Sequence, residues 1–189
     1  MARERLAKAG ELSESEKEKM KLESELTGIM ADFFTKKIEN DALWQRLKEK
    51  GSEAIVKETQ MRLAHTLSVG GSDHDFDRYA SAILSLETLK ADNQYTTIES
   101  NIDLMKKLRK KYVSEKDSAF AALKERMGSQ VRKAAQQMAG QRNSTIDVEG
   151  SIDASVRAST QWRDFIMKFE NNYSSQFEAL QAKLVHVIQ

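Results

Sequence analysis

The chain contains no cysteine and no proline, and only 8 glycines occur among its 189 residues. Average usage of about 5% would give a chain of this length roughly nine prolines. Without cysteine there are no disulfides, no thiolate-ligated zinc or iron–sulfur site and no cysteine nucleophile. The lack of proline and glycine also argues against β-sandwiches and barrels, whose many turns use these residues. A mostly helical protein is the class that remains.

Two further features are missing, namely a long apolar run and an excess of one charge. No uninterrupted apolar run approaches the roughly 20 residues that a membrane-spanning helix requires. The charged N-terminal residues are not followed by an apolar segment, so we expect no secretory signal peptide and a cytoplasmic protein. The 30 Lys and Arg residues balance 29 Asp and Glu residues, and the formal net charge is +1. The overall charge therefore predicts no polyanionic partner.

The motifs of common enzyme classes are absent as well. None of the three histidines, His65, His74 and His186, has a glutamate three residues before it. The Glu-x-x-His pairs of a di-iron helical bundle are therefore missing. The chain also lacks a P-loop, a dinucleotide-binding fingerprint and the Gly-x-Ser-x-Gly elbow of hydrolases. We accordingly expect no enzymatic activity, no cofactor and no metal.

Two acidic clusters nevertheless deserve comparison with metal sites. Asp73, Asp75 and Asp77 imitate the opening of a calcium-binding loop. That loop requires glycine at its sixth position and glutamate at its twelfth, where this chain has Arg78 and Leu84. The three aspartates therefore indicate a helix cap more strongly than a metal site. A second acidic cluster, which has no recognised ligand spacing, surrounds Gly150 and comprises Asp147, Glu149 and Asp153.

Apolar residues at helical spacing fill most of the chain and predict a single helical domain over residues 13–189. The first twelve residues carry little pattern and are predicted to be frayed, and Ser13 with Glu16 forms a capping box. Helix breaks are predicted at Gly51-Ser52, at Gly70-Gly71, within 91–94 and in a loop over 143–151. Gly28 is predicted to mark a close helix crossing or a kink.

The longest predicted helix begins at Thr96 or Thr97 and continues to about Arg142 without a strong helix breaker. Such a helix of roughly 45 residues is on the order of 70 Å long, at 1.5 Å per residue. A globular domain of this mass would be only about 40 Å across. We therefore predict an elongated, antiparallel all-α bundle of four to six helices with coiled-coil-like packing. Gly128 is the predicted position of a bend in the long helix.

The last predicted helix, over about residues 153–187, carries a wide aromatic face. Such a face most often fills the core of a bundle, but aromatic residues are also favoured anchors of protein interfaces. Helices that extend beyond a compact core leave apolar surface exposed, which self-association would bury. We therefore expect a non-enzymatic interaction or scaffolding protein that forms a homodimer or binds a helical partner. The expected assembly face consists of Trp162, Phe169, Tyr173 and Phe177.

A row of basic residues supports an alternative function. Residues 96–142 contain 11 Lys and Arg and 5 Asp and Glu, a net charge of +6. A long basic helix could lie along the phosphates of a nucleic acid, with an affinity that falls steeply with salt. The same charges could instead be solvated or pair with acidic helices of the same bundle. The residues of this alternative site are Lys106, Lys107, Arg109, Lys110 and Lys111.

Overall fold

The computed structural model describes residues 14–139 and 148–189, and these residues form seven α-helices and no strand. The prediction of an all-α bundle with one long helix is confirmed. The frayed segment 1–12, the cap at Ser13, residues 140–147 and hence Asp147 lie outside the described residues. The helices are α1 (Glu14–Phe34), α2 (Asn40–Lys50), α3 (Glu53–Thr66), α4 (Asp73–Glu87), α5 (Tyr95–Ala139), α6 (Val148–Ala158) and α7 (Thr160–Ile188).

The main hydrophobic core joins α1–α4 to the beginning of α5 and the end of α7. We call this part of the molecule the lobe. Each of its helices contributes apolar side chains that are fully or almost fully buried, because several helices surround each one. Representative core residues are Phe33, Leu43, Leu63, Ile83, Ile98, Ile102, Met105, Phe177, Leu184 and Ile188.

Beyond the lobe, the rest of α5 forms an elongated arm with α6 and the first half of α7. The arm comprises α5 from Tyr112 onward, α6, and α7 up to Tyr173. Both α6 and α7 run antiparallel to α5, and contacts such as Phe120 with Trp162 hold them there. The 45 residues of α5 correspond to a helix of about 66 Å at 1.5 Å per residue. The molecule is therefore elongated.

Most helix ends lie at the predicted breaks. Gly51 ends α2 with a φ of 61°, in the left-handed region that favours glycine. The Ser72 side chain accepts a hydrogen bond from the Asp75 amide and caps α4. Helix α3 ends at Thr66, short of the predicted glycine pair, because Leu67 already has extended backbone angles.

The predicted final helix over 153–187 is wrong in its boundaries, because the structure has two helices there. Helix α6 begins at Val148, inside the predicted loop, and the chain turns at Ser159. Ser159 has extended backbone angles, and its Oγ accepts a hydrogen bond of 3.1 Å from the Trp162 amide. This N-cap starts α7, so the described residues contain seven helices where four to six were predicted.

Two glycines for which special roles were predicted lie in the interior of helices. Helix α5 continues through Gly128, which is buried and lies against α6: a Cβ there would be 3.4 Å from Ile152 Cδ1. Gly128 therefore permits close packing of two helices, and the bend predicted there stays a prediction. Gly28 is exposed in the interior of α1, and no heavy atom would lie within 4 Å of a Cβ there. It marks no close crossing with another described helix, and the alternative of a kink stays a prediction.

Candidate functional site

Arg109, a member of the predicted basic row, is buried and binds the loop between α3 and α4. Its guanidinium donates hydrogen bonds to the backbone carbonyls of Ser68, Val69 and Gly71, the last at 2.6 Å. It also donates to the Asp73 carboxylate at 2.6 Å. The planar guanidinium suits this role, because it carries five donors in a fixed geometry. Arg109 thus fastens α5 to the lobe and is not available to a nucleic acid.

Two other members of the basic row have acidic partners within the chain. Lys106 lies 2.9 Å from the Asp77 carboxylate, and Lys111 lies 3.6 Å from the carboxylate of Glu115. Lys107 and Lys110 are exposed, and no carboxylate of the described residues is within ion-pair distance of either. The interpretation that this row pairs with acidic groups of its own bundle therefore accounts for three of the five residues.

The three aspartates at the start of α4 point to three different cations. Asp73 binds Arg109, Asp77 binds Lys106, and Asp75 lies 2.9 Å from Lys36. The hydrogen bond from Lys36, helped by His74, lowers the pKa of Asp75. These carboxylates compensate positive charges of α5 and of the chain before α2, and they favour the N-terminus of α4.

The second acidic cluster fastens α6 to α5. Lys124 lies 2.7 Å from Asp153 and 3.3 Å from Glu149, and Arg132 lies 2.9 Å from Glu149. Hydrogen bonds from Arg132 and Lys124 lower the pKa of Glu149, and those to Asp153 and Glu149 raise the pKa of Lys124. Within 14–139 and 148–189, no group of three His, Cys, Asp or Glu side chains is arranged to hold a metal ion.

A continuous row of aromatic rings runs along the arm between α5 and α7. Neighbouring ring centroids are 4.6–5.5 Å apart, the range of favourable aromatic pairs. We call this the aromatic row; its members are Phe120, Trp162, Phe165, Phe169, Tyr173 and Tyr112.

The four residues of the expected assembly face are placed differently from one another. Trp162, Tyr173 and Phe177 are only 8%, 3% and 3% exposed, and the chain itself covers them. Phe177 belongs to the core of the lobe, where its ring lies against Phe76. Phe169 is half-buried in the aromatic row. The core interpretation therefore accounts for Trp162, Tyr173 and Phe177, and Phe169 keeps an exposed edge.

Polar groups join the aromatic row to charged residues where the arm meets the lobe. Tyr173 donates a hydrogen bond of 2.6 Å to Glu115, and burial followed by this bond raises the pKa of Tyr173 to about 12. Lys116 donates to the Tyr112 hydroxyl at 3.0 Å and to Glu170 at 3.1 Å. These bonds raise the pKa of Lys116. The junction between α5 and α7 is thus fixed by directional bonds as well as by rings.

The resolved pKa shifts of the described residues share one property. The pKa of each carboxyl group is lowered, and the pKa of each lysine and of the tyrosine is raised. Every one of these pKa values therefore moves away from neutral pH. General acid–base catalysis requires the opposite, a pKa brought close to the working pH. The groups concerned are Glu25, Glu53, Asp75, Lys116, Lys124, Glu149 and Tyr173.

An open groove of about 360 Å³ lies beside the aromatic row, between α5 and α7 of the arm. Its floor is formed by small and apolar side chains, and the rings of α7 form one wall. The hydrogen bond from Arg126 to the Gln161 amide oxygen, 2.9 Å long, closes one end. Sequence reasoning missed this groove, because the alanines of α5 that line it have no distinguishing pattern in the sequence. The lining residues are Ala119, Ala122, Leu123, Arg126, Gln161, Trp162 and Phe165.

Comparisons with known proteins identify a family but no characterised relative. Residues 41–186 match the sequence profile of a family described as a family of unknown function (DUF6657). No curated protein and no solved structure matches the chain. Among the described helices, none is both long and apolar enough to cross a membrane.

Proposed function

We propose that this chain, which belongs to the DUF6657 family, is a non-enzymatic interaction protein of the cytoplasm that associates with a second copy of itself through its arm. The observation that carries the proposal is the open groove between α5 and α7. Apolar surface of this kind, with a polar rim, is typical of interaction sites. Because the groove lies outside the lobe, its occupation leaves the main core undisturbed.

The cross-section of the arm supports this proposal. Helix α6 covers one side of α5 through the contacts of Gly128 and Lys124, but it is only 11 residues long. Among the described residues, no third helix covers the side of the arm that holds the groove, and Phe165 in the wall of the groove is only half-buried. A helix of a second copy would complete this side as a neighbouring helix completes a bundle.

The electrostatics of the arm support an interaction role over a catalytic one. Lys116, Lys124, Glu149 and Tyr173 all lie on the arm, and their pKa values are shifted away from neutral pH. At neutral pH these groups keep their ordinary protonation states. They therefore stabilise packing between helices and offer no proton donor or acceptor tuned to a reaction.

Light scattering over a concentration series tests self-association. We expect the mass to rise from that of one 21.5 kDa chain toward twice this value as the concentration increases. Ala122→Arg places a large charged side chain in the groove and should keep the protein monomeric at concentrations where the wild type is dimeric. Ala121→Arg, a substitution at an exposed neighbouring position, is the matched control and should dimerise normally. A constant monomer mass for the wild type would overturn the proposal.

Nucleic-acid binding is the competing outcome. Only Lys107 and Lys110 of the basic row are exposed and without an acidic partner among the described residues. Retention on generic DNA or RNA at low salt, lost at high salt and lost in a Lys107→Ala/Lys110→Ala variant, would favour this alternative. We expect no such retention.

A further inference from the structure

Four residues of α5 form a stripe along the open side of the arm. Glu115, Ala119, Ala122 and Arg126 follow one another at steps of four, three and four residues. At 100° per residue they fall within an arc of about 60° on the helix surface. The structure agrees, because Ala119, Ala122 and Arg126 line the groove, and Glu115 binds Tyr173 of α7.

The stripe is self-complementary in charge and in size. Its acidic residue is at the N-terminal end, its basic residue is at the C-terminal end, and the two alanines lie between them. When two copies are laid antiparallel with the alanines together, Glu115 of each copy faces Arg126 of the other. Ala119 of each copy then faces Ala122 of the other. A two-fold dimer requires such an isologous surface.

We propose that a second copy of the chain binds with its α5 antiparallel to this α5, about a two-fold axis between Ala119 and Ala122. This inference rests on the proposed self-association and specifies its geometry. The alanines allow the two helices to approach closely, and the rings of Trp162 and Phe165 in the wall of the groove cover the contact. Two intermolecular ion pairs, one at each end of the stripe, set the register.

Both charged residues of the stripe are able to accept an additional partner. Arg126 binds only the neutral amide of Gln161 among the described residues. Glu115 accepts a bond from the neutral Tyr173 hydroxyl and lies 3.6 Å from Lys111, and its side chain is half exposed. An ion pair at the rim of an interface contributes more to register and specificity than to affinity.

The available area is that of a small dimer interface. In this register, Tyr112 of one copy faces Ser129 of the other, so the α5 part of the arm is paired over about 26 Å at 1.5 Å per residue. A face of two helices is about 20 Å wide, which gives roughly 500 Å² for each copy. Interfaces of standard size bury about 800 Å² on each partner, and weaker, transient ones bury less.

Charge reversal tests the pairing of Glu115 with Arg126. Glu115→Arg and Arg126→Glu each replace two attractive contacts by two repulsive ones, and each should weaken self-association about tenfold. An equimolar mixture of the two variants should regain the wild-type affinity, because both contacts are attractive in the heterodimer. The measurements are light scattering and native mass spectrometry. Glu125→Arg reverses a charge on another side of α5 and serves as the matched control.

The outcomes separate this inference from the proposed function. A dimeric wild type that is unaffected by either reversal, or a mixture that does not associate, would overturn the antiparallel interface and leave self-association in place. A monomeric wild type would overturn both. The double variant Glu115→Arg/Arg126→Glu restores both attractive contacts within a homodimer and should dimerise like the wild type. Circular dichroism of each variant identifies a loss of folding, and the double variant keeps the test decisive if a single variant does not fold.

Discussion

At the scale of single residues, buried arginines hold the backbone of this helical chain at its connections. Arg78 donates to the carbonyls of Phe33 and Ile38, both at 2.8 Å, where α1 ends and the chain leads to α2. Arg109 does the same for the loop between α3 and α4. A buried carbonyl without a partner costs free energy, and helix ends leave several of them. Arg78 removes this cost at the end of α1, and Arg109 supplies donors to the more exposed loop between α3 and α4.

A buried carboxylate performs a related task at the end of α7. Glu87 accepts hydrogen bonds from Gln60 at 2.8 Å, from Lys90 at 3.0 Å and from the Gln94 amide at 2.7 Å. Lys90 also donates to the carbonyl of Ile188 at 3.2 Å. The ion pair is therefore fully hydrogen-bonded, which is the condition under which a buried charge is tolerated. It connects α4 to the last turn of α7.

Removal of the Arg109 side chain should destabilise the protein. Arg109→Ala removes the hydrogen bonds to three carbonyls of the loop and the ion pair with Asp73, and we expect the free energy of unfolding to fall by about 2–4 kcal/mol. Lys110→Ala, at the exposed neighbouring position, should change it by less than about 0.5 kcal/mol. Urea denaturation measures both. Equal, small effects would contradict the structural role of Arg109.

The function of Arg109 shows what could not be predicted from the sequence at this scale. In the sequence, Arg109 belongs to a row of basic residues together with Lys106, Lys107 and Lys110. The partners of Arg109 are mainly backbone carbonyls about 40 residues away in the chain, and carbonyls carry no side-chain signature. Only the packing of α5 on the loop distinguishes Arg109 from its neighbours.

At the scale of helices, boundaries followed from glycine and serine where these residues act locally. The break at Gly51 was predicted correctly because its effect depends on a few adjacent residues. The break at Ser159 was missed because apolar residues continue at helical spacing on both sides of it, with Val156 before and Trp162 after. Because the periodicity of α6 and α7 is that of one helix, it conceals the N-cap bond that Ser159 makes locally with the Trp162 amide.

Two glycine substitutions should have opposite effects on stability. Gly28→Ala adds a methyl group in open space within α1, and should raise the free energy of unfolding by about 0.5–1 kcal/mol through helix propensity and the unfolded state. Gly51→Ala forces alanine into the left-handed region and should lower it by about 1 kcal/mol or more. Chemical denaturation of both variants checks the signs. A destabilised Gly28→Ala would indicate a contact that α1 does not show.

At the scale of the whole molecule, the elongated shape was predictable from one long apolar stripe without a helix breaker. The open groove was not predictable from the sequence, because it exists only where α6 covers one side of α5 and leaves the side next to α7 open. Ala119 and Ala122 are ordinary helix residues in the sequence. They line a groove only because α7 places Trp162 and Phe165 beside them.

The antiparallel dimer predicts distances between spin labels. Because the chain has no cysteine, Lys107→Cys and Ala121→Cys each provide a single labelling site on the outside of α5. In the proposed register, two labels at 107 are separated by at least about 40 Å along the helices, and two labels at 121 by roughly 20–25 Å across them. Pulsed electron paramagnetic resonance measures both distances. Similar short distances at the two positions would indicate a parallel dimer and contradict the register.

The unbroken course of α5 through Gly128 joins the lobe to the tip of the arm by a single helix. From Tyr112, where the arm leaves the lobe, to Ala139 the helix extends about 40 Å at 1.5 Å per residue. If the arm rotated by 10° about Tyr112, Ala139 would be displaced by about 7 Å, by the same geometry. Gly70 lies beside Tyr112, because a Cβ at Gly70 would be 3.6 Å from the Tyr112 hydroxyl. Small rearrangements in a loop of the lobe would therefore be amplified at the tip of the arm.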